Sequence, residues 1–169
     1  MTDALTWLRA NGPGFNELRP EELEAIADFS LLTSLFEARL LGSRGSERAI
    51  CNLVDLWKSS GQLDEVLLAT ELSYFRRRYF RDASPTDYLD GLRLPDNELG
   101  QLVISVIAGQ TDDVRNRYVS VLIIVFRYRH NLFHGEKWKY RLTGQLDNFR
   151  TANSVLMKLL DRHGALAGE

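Results

Sequence analysis

The residues best suited to chemistry lie in one run, Arg127-Tyr128-Arg129-His130-Asn131-Leu132-Phe133-His134-Gly135-Glu136-Lys137. The chain holds three histidines, and two of them, His130 and His134, sit here four positions apart. Histidine moves protons near neutral pH, because its unperturbed pKa is about 6.5. Arginine stays charged and holds phosphate oxygens with a fork of N–H donors. Arg129 continues the apolar stripe of Tyr118, Leu122, Val125 and Leu132. An arginine on such a stripe is costly unless it is paired, hydrogen-bonded, or facing a wet cleft or an interface. From Arg127 to Arg141 the bases Arg127, Arg129, Lys137, Lys139 and Arg141 outnumber one acid, Glu136, for a local charge of +4. Trp138 and Tyr140 alternate with the lysines, and aromatic rings stack on unpaired bases. These residue types together suit proton transfer and phosphate binding.

Arg129 and His134 are five residues apart. In an unbroken helix they would point ~140° away from each other, with ~7.5 Å of rise between them. A shared site therefore needs one of two things. The helix unwinds at its end, which Gly135 would permit, or a second protomer completes the site.

The string Arg129-His130-Asn131-Leu132-Phe133-His134 resembles the R-x(4–6)-H motif of HEPN domains, with a polar residue directly after the arginine. The setting is similar too: a helical chain, the motif near the end of a long helix in the C-terminal half, and one more helix after it. Asn131-Leu132-Phe133-His134-Gly135 resembles HEPN proteins of prokaryotic toxin and antiviral-defence systems. The resemblance implies a metal-independent endoribonuclease, without a cofactor, that acts as a homodimer with a composite site at its interface. His134 would be the acid/base group and Arg129 the phosphate clamp. Asn131 would orient His134 or the scissile phosphate. Arg127, His130, Lys137 and Lys139 would bind RNA. Attack by the 2′-hydroxyl would leave a 2′,3′-cyclic phosphate, and an antitoxin or regulatory partner would fit such a system. HEPN toxins silenced by adenylylation resemble R-x(4)-H-x-Y. Here Glu136 takes the tyrosine's place, so that form of regulation is not expected.

Two other readings compete. One is a non-catalytic helical module that binds a protein partner or a nucleotide. The other is a metal-dependent hydrolase, because His130 and His134 have a ligand spacing, although Asn131 stands where H-E-x-x-H has its glutamate. Elsewhere, Arg76, Arg77, Arg78 and Arg81 with Tyr74, Phe75, Tyr79 and Phe80 form a second basic and aromatic cluster. It is either an RNA track or a solvated face. Glu37 is an acid that could reach an arginine across a bundle, or an exposed helix residue. His163 is read as part of a frayed tail, and Trp7 and Trp57 as structural.

The elements that must carry these groups read as helices. Pro20 with Glu21 and Glu22 opens one that runs to Leu40 and stops at Gly42. Others are expected from Ser46 to near Gly61, from Leu63 to about Arg81, and from about Asp96 to Ala108. Thr111-Asp112-Asp113 caps the long helix that ends at Gly135, and a last helix spans Gln145 to Arg162. Pro85 to Pro95 reads as a loop with a short helical turn near Tyr88. The runs Leu102–Ile107 and Val119–Val125 are rich in β-branched residues, yet their capping signals favour helix. The expected fold is an all-α bundle of five or six helices, one domain over residues 1–169.

Composition agrees with a folded chain: 169 residues, 44% hydrophobic and 26% charged. The net charge of −2 argues against a generally basic nucleic-acid coat but leaves room for a local site. Of 21 basic residues, 17 are arginine, which favours bidentate contacts. The lone Cys51 excludes an intrachain disulfide and reads as core filler. The longest apolar stretch, Val119–Phe126, is too short for a membrane span. The N-terminus lacks the basic segment of a signal peptide, so a cytoplasmic location is expected.

Overall fold

Seven α-helices occupy the described residues, 3–135 and 142–165, of the computed structural model. α1 (Ala4–Asn11) starts at Asp3, whose carboxylate accepts from the Thr6 N–H. α2 (Pro20–Leu40) starts at Arg19, whose N–H donates to the Glu22 carboxylate. α3 (Glu47–Ser59) is capped by Ser46, α5 (Glu98–Ile107) by Asn97 and α6 (Val114–Phe133) by Asp113. α4 (Ala69–Tyr79) runs into a two-stranded hairpin, in which β1 (Phe80–Arg81) pairs antiparallel with β2 (Ser84–Pro85). A 3-10 turn at Asp90–Leu92 precedes α5, and α7 (Leu146–His163) ends the described chain.

α6 runs through the centre. Every residue from Tyr118 to Val125 is buried, so this stretch has no solvated face. A helix that is apolar all round belongs inside a protein, which is why a β-branched run is stable here as helix. α2 and α7 pack along each other, α5 and α3 pack on α6, and α4 leans on α7. Phe29 of α2 and Phe149 of α7 meet with ring centroids 5.1 Å apart, and Tyr128 of α6 meets Phe149 edge-on at 6.4 Å.

Some expectations change. The third helix begins at Ala69 rather than Leu63, because the buried Tyr118 hydroxyl accepts from the Asp64 N–H and donates to the Asp64 carbonyl. Those backbone groups then have a partner outside any helix. A hairpin is added at 80–85, while the 3-10 turn at Asp90–Leu92 stands close to the helical turn expected near Tyr88, and α1 is an added helix with no buried residue. Trp7 on α1 is 56% exposed, so only Trp57, at 3%, is a core residue.

His163 is the last residue of α7, not part of a frayed tail. Its ring stacks on Trp57 at 4.0 Å, and its Nε2 is buried with no hydrogen-bond partner. Burial holds this imidazole below its ordinary 6.5, and Arg162 pushes the same way. The unfolded chain therefore takes up the proton first as pH falls. The contribution of His163 to stability is full above about pH 6.5 and declines on the acid side, toward the lower folded value. His163→Phe keeps a ring on Trp57 and is expected to lose that decline. Thermal midpoints of both proteins at about pH 7.5 and about pH 5.5 check it.

Candidate functional site

α6 stays helical through Phe133. His134 caps it, with its N–H donated to the His130 carbonyl at 3.0 Å, and Gly135 follows in the left-handed region at φ +74. The helix does not unwind between Arg129 and His134, so those two side chains remain on different faces. The His134 side chain is exposed beside His130, and their ring centroids are 4.2 Å apart. Phe133, next to them, is 57% exposed.

Arg129 turns toward α2. Its Nε lies 3.1 Å from Glu37 Oε1, with side-chain exposures of 29% and 17%. The Nε–H is not aligned on that oxygen, which keeps no hydrogen bond, so the contact is purely an ion pair. The guanidinium also lies 5.8 Å from the Phe126 ring and 5.6 Å from the Phe133 ring. Gly45, in the α2–α3 loop, closes over the carboxylate, since a Cβ there would meet Glu37 Oε1 at 2.5 Å. A pocket of about 20 Å³ behind the pair is lined by Arg129, Glu37, Thr33 and apolar neighbours. The Thr33 hydroxyl is buried without a hydrogen-bond partner, and the space suits about one water. Of the two readings of Glu37, the cross-bundle contact is the one realised.

Asn131 and Arg127 serve the fold. Asn131 is 2% exposed, and its amide donates to the Gly91 carbonyl at 3.1 Å. Arg127 Nε donates to the Leu92 carbonyl at 3.2 Å, and its Nη1 is 3.7 Å from Glu47 Oε1. Burial lowers the Arg127 guanidinium from its ordinary value, against the pull of Glu47. Both side chains hold the 3-10 turn and α3 to α6, which leaves Asn131 no surface for substrate and Arg127 little. Asn131→Ala removes the hydrogen bond to the Gly91 carbonyl and is expected to cost about 0.5–1.5 kcal/mol of stability, read from the shift in urea midpoint.

Lys137 and Lys139, with Glu136, Trp138, Tyr140 and Arg141, lie outside the described residues. The second basic cluster is brought together only in part. Arg76 donates to the Val106 carbonyl and pairs with Asp112 at 3.2 Å. Arg78 lies 4.3 Å over the Tyr88 ring. Arg77 and Arg81 are exposed. Cys51 is half-buried on α3, and burial raises its thiol.

Among the described residues, no three His, Cys, Asp or Glu side chains are grouped to hold a metal ion, so His130 and His134 have no third ligand there. No helix among them is long and apolar enough to cross a membrane. Glu37 joins the site through Arg129, the cross-bundle contact that its sequence position allows. Its signal is an acid lying between Phe36 and Leu40 on a helix that faces α6. No protein-family model, curated protein or solved structure matches the chain.

Proposed function

We propose that this chain is a metal-independent endoribonuclease of the HEPN type, built as a homodimer and acting as a toxin or in antiviral defence. The observation that carries the reading is at the end of α6. Arg129 and His134 both reach the surface there, on faces ~140° apart. A two-fold pairing of the helix ends lets Arg129 of one protomer meet His134 of its partner. The exposed Phe133 between them supplies apolar area for such a contact.

In the composite site His134 exchanges the proton of the attacking 2′-hydroxyl or of the leaving 5′-oxygen. Arg129 neutralises charge on the phosphate oxygens in the transition state. Glu37 holds the Arg129 guanidinium in place, so its work is positioning. The reaction breaks the P–O5′ bond and forms the P–O2′ bond, which leaves a 2′,3′-cyclic phosphate and a 5′-hydroxyl. Incubation of the purified protein with RNA in a strong chelator tests this reading. Products with those two ends support it, and uncut RNA under all conditions overturns it.

A second reading has its own observation. Arg127, Asn131 and Arg129 all have partners inside the protomer. A non-catalytic module that binds a protein or nucleotide would use the run in that way. Such a module cleaves nothing, and His134→Ala would not relieve toxicity on expression.

A further inference from the structure

α4 and α7 lie side by side and leave an open groove of about 310 Å³. Thr70, Tyr74 and Arg77 of α4 form one wall, and Arg150, Thr151 and Ser154 of α7 form the other. Each set follows helical spacing, so each wall is one face of its helix. Two guanidiniums in one groove repel unless something negative lies between them. Here their usual partners are missing. Arg77 donates only to Ser73 Oγ of its own helix, at 2.8 Å, and no carboxylate among the described residues pairs with it. Arg150 is exposed and has neither an ion pair nor a hydrogen bond among the described residues.

The one acid in the lining, Glu71, does not fill that role. It is 4% exposed and already satisfied: Lys158 Nζ lies 2.8 Å from Oε1 and 3.0 Å from Oε2, and Ser154 Oγ donates to Oε1 at 2.5 Å. The floor is thus a neutralised pair beneath two uncompensated arginines. Tyr74 is fixed by its hydroxyl, which donates to Asn148 Oδ1 at 2.8 Å. This fixes the aromatic part of the α4 wall.

We infer that this groove binds a phosphate ester, with Arg77 and Arg150 on the phosphate oxygens and the Thr70 and Thr151 hydroxyls completing the shell. Forked guanidinium donors match phosphate geometry. The volume lies at the small end of the range of about 300–1,000 Å³ usual for small-molecule sites, which suits one nucleotide unit. The ester comes either from a free nucleotide or from the 5′ end of an RNA. This site is separate from the end of α6 and does not rest on the nuclease reading.

Calorimetric titration of the full chain with inorganic phosphate, AMP, ATP and a short RNA with or without a 5′-phosphate tests it. Saturable binding of a phosphate ester is expected. Arg77→Gln and Arg150→Gln should each weaken it about tenfold or more, since a charged hydrogen bond is lost. Both positions are exposed, and an unchanged thermal midpoint shows that the fold is kept. Binding of AMP or ATP names the free nucleotide as the source, and binding only of the 5′-phosphorylated RNA names the RNA end. Absence of binding by all of these ligands, or wild-type affinity in the double variant, overturns the inference. RNA cleavage is read separately with His134→Ala, so failure at the groove and failure of the nuclease reading are distinguishable.

Discussion

His134→Ala is expected to lower RNA cleavage by about 10²–10⁴-fold while the fold stays intact, because removal of a general acid/base costs that much. The side chain is exposed at the cap of α6, so its loss leaves no buried cavity and no unpaired buried group. The thermal midpoint should therefore stay within about a degree or two of wild type, as for other surface changes. Cleavage by wild type should persist in a chelator. Gel analysis of a labelled RNA, with a check for the cyclic phosphate, reads both. Wild-type cleavage by the alanine variant would remove His134 from the mechanism.

The second large effect is recovery of activity on mixing. Arg129→Gln and His134→Ala should each be inactive alone. Arg129→Gln is chosen because it keeps bulk beside Glu37 and Phe126. If the site is composite, a mixed dimer carries one intact pair, Arg129 from one chain and His134 from the other. Random reassortment makes half the dimers mixed, each with one working site of two, so an equal mixture returns to about a quarter of wild-type activity. A site held within one protomer gives no recovery. Light scattering accompanies the test, since a strict monomer would leave Arg129 and His134 on separate faces.

Glu37→Gln should separate positioning from charge. It leaves Arg129 in place by volume but removes the ion pair at 3.1 Å. Substrate affinity is expected to change less than turnover, which a KM-against-kcat comparison reads. A loss confined to thermal stability would make the pair purely structural.

Much of the helical frame was legible in the sequence because its signals are local. Asp113 ahead of Val114, Ser46 ahead of Glu47 and Pro20 with Glu21 and Glu22 each satisfy donors or fit the dipole within one turn. Gly135 is the left-handed residue after α6, as a glycine there suggests. The Asp64 region was not legible. Its fate depends on a hydroxyl 54 positions away, that of Tyr118, which takes the backbone groups a helix would have used. α1 was missed for the opposite reason: none of its residues is buried and only Leu8 is partly covered by the core, so its apolar signal is weak.

The candidate site divides in the same way. Helical spacing alone puts two histidines one turn apart and points Arg129 ~140° from His134. What each polar group meets depends on how the elements pack. Asn131 and Arg127 share a face with His134, yet the carbonyls of Gly91 and Leu92 meet them first. The two loop carbonyls lie 40 and 35 residues from their donors. Arg129 looked like an arginine in search of a partner, and the bundle supplies Glu37 from α2. Periodicity sets the direction of a side chain along its own helix, but the groups that meet it come from elements distant in sequence. Their identity is fixed only when α2, α6 and the 90–92 turn pack together.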